Sequence, residues 1–137
     1  MSVKLTRGAL LTAAAAAAGA AAVESLQPWR ALVTVTPARP AARLTGLLGD
    51  RMSAARIGRA YLSVTPAEAD ADVLIARIAE AAPGGAAAVE SASSDELRAL
   101  LLAAARRDYD AGRLVRVDGW LLAASECRLC ALAALAA

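Results

Sequence analysis

The chain has 137 residues, enough for one domain, and its composition favours closely packed helices. Forty residues are Ala and 20 are Leu, whereas His, Phe and Asn are absent and the aromatic residues are two Trp and two Tyr. This composition is a poor fit to a β-sandwich, which needs β-branched and aromatic side chains. The absence of His excludes Ser-His-Asp and Cys-His catalysis and His-ligated zinc or haem.

The charge of the chain gives no reason to expect nucleic acid as a partner. The 15 basic and 13 acidic residues give a net charge of +2, but two of the basic residues, Lys4 and Arg7, lie in a segment that we expect to be removed. Without them 13 basic residues face 13 acidic ones, so the net charge is zero. We therefore expect contact with a membrane only through the leader.

Residues 1–23 have the order of a secretory signal segment. The first seven residues carry two basic side chains, Lys4 and Arg7, and residues 8–23 are uncharged and mostly Ala and Leu. Ala18 and Ala20 then supply small side chains at the two positions that a signal peptidase reads. We expect cleavage after Ala20 and a periplasmic or secreted protein. An uncleaved leader that tethers the protein to the inner membrane is the alternative, although the run is short and weakly apolar for a membrane span.

Residues 6–11 of the leader, Thr-Arg-Gly-Ala-Leu-Leu, resemble the twin-arginine (Tat) export motif Ser/Thr-Arg-Arg-x-Phe-Leu. Gly8 occupies the place of the second Arg of the motif, and Leu10 occupies the place of Phe. The Ala-rich run is also similar to Tat leaders in its low hydrophobicity. The resemblance implies a Tat-like route of export, and the Sec route stays open.

Residues 24–40 are predicted to be a Pro-rich tether that leads to a single helical domain at residues 41–137. Pro lacks the backbone N–H that helices and sheets need, so the three Pro residues of the tether allow at most a short edge strand. Trp29 lies in this tether. We consider it a candidate for docking on the domain or on a protein partner.

The domain is predicted to be mainly α-helical, with three to four helices and a short β-ribbon before the last one. The first helix covers residues 41–62, and a break is allowed at Gly49, after which Asp50 can cap the second part. Leu44 and Met52 lie on the apolar face of this helix.

A capping box at residues 65–68, Thr-Pro-Ala-Glu, predicts the start of the second helix. Glu68 and the neighbouring Asp70 are expected only to stabilise the positive end of this helix. The sequence Pro-Gly-Gly at residues 83–85 ends the helix, and residues 84–92 are predicted to be a linker of small residues.

A second capping box at residues 93–96 predicts a third helix that ends at Gly112. Residues 113–122 are predicted to form a β-hairpin, because the Asp-Gly pair at 118–119 favours a two-residue turn. The last helix is expected over residues 125–135.

Trp120 follows the predicted turn and has two interpretations. A lone large aromatic side chain at such a place usually anchors a hairpin on the core, and we expect Trp120 to pack against the last helix. The alternative is an exposed anchor for a protein partner, a role in which Trp is enriched.

Cys127 and Cys130 form a C-x-x-C motif, the only motif of the chain with a reaction attached. If Ser125 caps the last helix, the helix dipole lowers the pKa of the Cys127 thiol and favours disulfide exchange. However, the thioredoxin motif is not matched, Ala131 stands where a c-type haem site needs His, and two thiolates do not complete a zinc site. We expect two structural Cys residues, no cofactor and no metal, and keep a redox site as the alternative.

Residues 108–132 resemble small exported bacterial proteins that carry Tat-like leaders. The shared pattern is Gly-Arg-x-Val-x-Val-Asp-Gly-Trp-x-Leu-Ser-x-Thr-Glu, which starts at Gly112 and ends at Glu126 of this chain. Ala123 and Ser125 replace its Ser and Thr, so Ser125 is left to cap the last helix. The resemblance covers about a fifth of the chain. It implies export and the type of domain, and no activity.

The sequence therefore favours a small exported, non-enzymatic accessory or interaction protein, such as a small subunit that accompanies a larger periplasmic enzyme. The expected partner is a protein. A thiol-disulfide or electron-transfer accessory protein that uses Cys127 and Cys130 is the second hypothesis, and an inner-membrane-tethered protein with an uncleaved leader is the third.

Overall fold

A computed structural model describes residues 40–137, which form several helices and one short antiparallel ribbon. The prediction of a mainly α-helical domain with a β-ribbon before the last helix is confirmed. The leader with Ala18 and Ala20, and the tether up to residue 39 with Trp29, lie outside the described residues, whereas Pro40, the last residue of the predicted tether, begins a helix. The elements are α1 (Pro40–Thr45), α2 (Arg51–Val64), α3 (Ala71–Ala81), α4 (Gly85–Ser91), α5 (Ser94–Asp110), β1 (Leu114–Val117), β2 (Trp120–Ala123) and α6 (Ala124–Leu135).

The last helix, α6, is the centre of the fold. It packs most extensively on α2 and also contacts α1, α3 and α5. The core contains one or more fully buried aliphatic side chains from each of α1, α3, α5 and α6. Burial of such a side chain typically stabilises a fold by about 1.5–3 kcal/mol. The largest of these side chains are Leu44, Leu74, Ile78, Leu97 and Leu132.

The contact between α2 and α6 is built from small residues. A Cβ atom added to Gly58 would lie 2.1 Å from the carbonyl oxygen of Cys130 and 2.7 Å from the Cα atom of Ala131. The two helix backbones therefore meet without a side chain between them at this point. Ala54, one turn before Gly58, is also buried. The separation of two packed helices depends on the side chains at their contact, and here it is set by Gly and Ala.

The prediction that Met52 belongs to the core is wrong, since its side chain is 85% exposed. The buried side of α2 consists of Ala54, Ala55, Gly58 and Tyr61. Because α2 begins only at Arg51, Met52 lies in its first turn and off that side.

Two of the predicted helix starts are confirmed. The Asp50 carboxylate accepts hydrogen bonds from the N–H groups of Met52 and Ser53 at the start of α2. At the start of α5, the Ser93 hydroxyl accepts from the Glu96 N–H, and the Glu96 carboxylate accepts from the Ser93 N–H. Local sequence therefore determines both starts.

The capping box predicted at residues 65–68 is wrong. Residues Pro66–Glu68 form a short 3₁₀ turn, and Thr65 makes no side-chain capping hydrogen bond. Helix α3 begins at Ala71 instead, where the Asp70 carboxylate accepts hydrogen bonds from the N–H groups of Asp72 and Val73. The Glu68 side chain does not complete a capping box, because its carboxylate binds Tyr61 of α2 and Arg128 of α6.

Residues 84–92 were predicted to be a linker, and this is also wrong, since Gly85–Ser91 form α4. The end of α4 is held by Arg43 of α1, whose guanidinium donates to the carbonyl oxygens of Val89, Glu90 and Ala92. These carbonyls belong to the last turn of a helix, where no partner within the helix exists. Arg43, more than 40 positions away in sequence, thus stabilises the end of α4. The sequence of α4 itself only weakly indicates a helix.

The predicted hairpin is confirmed. The strands β1 and β2 are antiparallel, and their register runs from the pair Leu114–Ala123 to the pair Val117–Trp120. Asp118 and Gly119 have φ angles of 48° and 83°, as a primed two-residue turn requires.

Candidate functional site

The candidate site lies at the tip of the hairpin, where three large side chains face solvent. Trp120 is 71% exposed, Leu121 is 48% exposed and Tyr109 of α5 is 47% exposed. The Tyr109 hydroxyl lies 3.5 Å from the carbonyl oxygen of Leu121, the residue that follows Trp120 in β2. We call Tyr109, Trp120 and Leu121 the hairpin-tip surface.

The expectation that Trp120 packs inside against α6 is wrong. Trp120 pairs with Val117 directly beside the turn, at the far end of the ribbon. Val117 and Ala123 are the buried side chains of the ribbon, and Leu122 is partly buried against the core. The indole of Trp120, at the turn end of the ribbon, therefore lies on the surface although its cross-strand partner Val117 is buried.

Two charged side chains lie beside the apolar part of the hairpin-tip surface. Arg116 lies opposite Leu121 in the ribbon and is exposed, and Asp118 is exposed in the turn. An apolar centre with large aromatic side chains and a polar rim is the usual composition of a protein-binding surface.

The base of the hairpin is held by a buried carboxylate. Asp108, near the end of α5, is 1% exposed. One of its oxygens accepts from Arg113 Nε at 2.8 Å, and the other accepts from the backbone N–H of Ser125 at 2.8 Å. Burial alone would raise the pKa of the Asp108 carboxyl, but these hydrogen bonds and the charge of Arg113 hold it below its ordinary value. Asp108 thus ties α5, the hairpin and α6 together.

The start of α6 differs from the prediction for Ser125. The N-cap position is Ala123, whose N–H donates to the Glu126 carboxylate at 3.0 Å. Ser125 contributes its backbone N–H to Asp108, and its hydroxyl is buried with no hydrogen-bond partner among the described residues. The cap of this helix is therefore supplied in part by a side chain of α5.

The two Cys residues are free thiols in an environment that suppresses reactivity. Cys127 is fully buried and Cys130 is half-buried. Burial, with smaller contributions from Cys130 and Glu126, raises the pKa of the Cys127 thiol to about 12, and burial raises the pKa of the Cys130 thiol to about 11. The expected lowering of the Cys127 pKa by the helix dipole is thus wrong, because desolvation outweighs it. Thiols with such pKa values are almost entirely protonated at neutral pH.

Arg128, between the two Cys residues, belongs to an ion pair that the sequence did not indicate. Its Nε and Nη2 atoms each lie 3.0 Å from one oxygen of the Glu68 carboxylate, and the Tyr61 hydroxyl donates to the same carboxylate at 2.6 Å. The Arg128 hydrogen bond is the main reason that the pKa of Glu68 is lowered. Burial, followed by Glu68, raises the pKa of Tyr61 to about 12. The cluster fixes the 3₁₀ turn on α6 and α2.

The remaining chemistry of the described part of the chain is limited. Among residues 40–137, no group of three or more His, Cys, Asp or Glu side chains is placed to hold a metal ion. In the same range, no helix has both the length and the apolar character needed to cross a membrane. Comparisons of the chain with models of protein families, with curated proteins and with solved structures found no match.

Proposed function

We propose that this protein is a small exported accessory protein that binds a protein partner through the hairpin-tip surface. The exposure of Trp120 carries the proposal. Trp and Tyr are enriched among the residues that dominate the energy of protein interfaces, because each buries a large area with little loss of side-chain freedom. The chain has only two Trp and two Tyr residues, and one of each, Trp120 and Tyr109, is exposed. The Tyr109 hydroxyl contacts the backbone of the residue that follows Trp120.

The local framework supports the same proposal. The primed turn, the paired strands and the buried Asp108 give the hairpin a defined conformation before any partner binds. A preorganised surface loses less conformational entropy on association than a flexible one.

The titratable side chains favour binding over catalysis. Glu68 and Asp108 are engaged in ion pairs, and the Cys127 and Cys130 thiols are held protonated by burial. A catalytic acid, base or nucleophile needs a pKa near the working pH and access to a substrate. We therefore prefer an interaction protein to the thiol-disulfide hypothesis.

The binding proposal is tested by retention of the partner. A tagged full chain is purified from the exported fraction together with its partner, in parallel with Trp120→Ala and with Leu102→Ala, which removes another exposed apolar side chain, 53% accessible on α5. We expect Trp120→Ala to lose the partner while its free energy of unfolding changes by less than about 0.5 kcal/mol. The Leu102→Ala control should retain the partner. Retention of the partner by Trp120→Ala, or an equal loss in both variants, would contradict the proposal.

The proposal of export has a separate test. It is supported by the order of basic, apolar and small residues in positions 1–23. Mass spectrometry of fractionated cells should find a protein that begins at Ala21 outside the cytoplasm. Arg7→Gln should trap the precursor, and Arg30→Gln, outside the leader, should not. A strain without the Tat translocase distinguishes the two routes, and an intact Met1 on cytoplasmic protein would refute export.

A further inference from the structure

The helix α4 is attached to the rest of the fold by few contacts. Among the seven described residues of α4, only Val89 has a buried side chain, and the others are small or exposed. The helix packs mainly on α3 and not on α6, the centre of the fold. We infer that α4 is a lid, which opens as a unit about the glycines before it while the other helices stay folded. The inference does not depend on the proposed partner binding.

Arg43 of α1 holds the lid closed. Its guanidinium donates to the carbonyl oxygens of Val89, Glu90 and Ala92 at the end of α4. In the described part of the chain, these are the only side-chain hydrogen bonds that join this helix end to another element. Hydrogen bonds from a charged donor are roughly twice as strong as those between neutral groups. The closed position of α4 therefore depends strongly on this single side chain.

Two glycines supply a hinge at the start of the lid. Gly84 and Gly85 have φ angles of 80° and 66°, in the left-handed region that glycine enters at no steric cost. No side chain of the described residues caps the start of α4, so rotation about the glycines breaks no cap. At the other end, Ser93 and Glu96 form the capping box of α5 by themselves. Opening of the lid therefore leaves the start of α5 intact.

The lid covers apolar side chains of three other helices. Val89 faces the same small cleft as Leu44 of α1, Ile75 of α3 and Leu97 of α5. With the lid closed, Leu44 and Leu97 are each 1% exposed. Opening brings part of this surface into contact with water, which costs free energy in proportion to the apolar area. The open lid is therefore a minor state that uncovers an apolar surface, and it is one of the local openings that need less free energy than global unfolding.

The inference is tested by native-state hydrogen exchange of the ¹⁵N-labelled full chain, under conditions in which exchange rates report opening equilibria. We expect the amides of residues 89–92 to share one opening constant, at least about tenfold larger than that of Ala131 and Leu132 in α6. Low concentrations of urea should change this constant little, because the lid exposes little surface.

Two results of this measurement would overturn the inference. The first is that residues 89–92 have the opening constant and the urea dependence of Ala131, since α4 would then open only with the whole domain. The second is a gradient of opening constants along residues 89–92, which would indicate fraying of the helix end and not the movement of a unit.

A variant of Arg43 tests what holds the lid closed. Arg43→Gln should raise the opening constant of residues 89–92 by about tenfold or more, because only the closed state loses charge-assisted hydrogen bonds. Arg56→Gln, which replaces an exposed Arg of α2, is the control and should leave this constant unchanged. An unchanged constant in Arg43→Gln would contradict the assignment of Arg43.

Asp108→Asn separates the lid from the rest of the domain. The Asp108 hydrogen bonds persist when the lid opens and are lost when the domain unfolds. This substitution should therefore raise the opening constant of Ala131 and leave that of residues 89–92 unchanged. An equal increase at both places would show that α4 does not open by itself.

Discussion

In the contact between α2 and α6, Gly58 and the neighbouring Ala side chains let two backbones meet, whereas at the hairpin tip the largest side chain of the described region stands 71% exposed. The usual placement of small and large side chains is reversed between these two regions. Close contact of backbones gives many dispersion interactions without bulky side chains. An Ala-rich chain can thus be stabilised by helix contacts, and Trp120 and Tyr109 are available for recognition.

The largest expected effect on stability comes from a substitution in the contact between α2 and α6. Gly58→Ala places a methyl group 2.1 Å from the carbonyl oxygen of Cys130, so the helices must separate. We expect a loss of at least about 3 kcal/mol in the free energy of unfolding, measured by urea denaturation. The gain in helix propensity from Gly to Ala, up to about 1 kcal/mol, is too small to compensate.

Gly49→Ala is the matched control for this prediction. A Cβ atom at Gly49 meets no other atom within 4 Å. We expect its stability to stay within about 0.5 kcal/mol of the parent chain. Equal stability of the Gly58 and Gly49 variants would show that α2 and α6 do not approach as described.

Asp108, which joins the hairpin to the helices, is expected to show the next largest effect. Asp108→Asn removes charge-assisted hydrogen bonds from a buried site and should cost about 1–3 kcal/mol at pH 7. Since the folded pKa of Asp108 lies below its ordinary value of 3.8, its contribution is present above that pH and is lost as the pH falls through the folded pKa. The variant should therefore lose less stability than the parent chain between pH 4 and pH 2.

Asp95→Asn provides the control, because this carboxylate is 97% exposed and pairs only with an exposed Arg of the same helix. Its pH profile in urea denaturation should follow that of the parent chain. An Asp108→Asn profile parallel to both would contradict the role of the buried carboxylate.

The start of α3 offers a smaller and local effect. Asp70→Ala removes the side chain that accepts from the Asp72 and Val73 N–H groups, and should cost about 1 kcal/mol. Thr65→Ala should cost less than half as much, because Thr65 makes no capping hydrogen bond. Thermal unfolding of the two variants decides between the observed start and the capping box that the sequence predicts.

Ser125→Ala is expected to have the smallest effect. The Ser125 hydroxyl is buried with no partner among the described residues, and its replacement removes a polar group that is not satisfied. We expect unchanged or slightly increased stability. A loss of about 1 kcal/mol in thermal unfolding would show instead that this hydroxyl donates a hydrogen bond, to the Asp108 carboxylate or within the first turn of α6.

The parts of the fold that the sequence predicts are those with local causes. The Asp50 and Ser93 side chains accept hydrogen bonds from backbone N–H groups no more than three residues away. The hairpin turn is formed by the backbone conformation of Asp118 and Gly119 themselves. In each case the neighbouring residues alone determine where the element begins or turns. The β-ribbon before the last helix follows from such signals as well.

The parts that the sequence does not predict depend on distant partners. Glu68 binds Arg128, 60 residues away, and is therefore not available for a capping box. Arg43 supports the end of α4 across more than 40 residues. Neither pairing leaves a periodic or local pattern in the chain.

The candidate site was predictable only in part. Trp120 stands out in the sequence as a large aromatic side chain after a turn, but its exposure depends on how the ribbon packs on the helices, which buries its cross-strand partner Val117 instead. Tyr109 and Leu121 gave no signal of their own. Their proximity to Trp120 follows from the packing of the hairpin on α5.

The most direct test of this reversed placement is the fluorescence of Trp120 in a full chain that carries Trp29→Phe, so that a single indole remains. The structure predicts emission at the long wavelengths of a hydrated indole and quenching by acrylamide close to that of free tryptophan, because the side chain is 71% exposed. Unfolding in urea should then shift the emission very little. A short-wavelength emission that is protected from acrylamide and moves to long wavelength on unfolding would contradict the account.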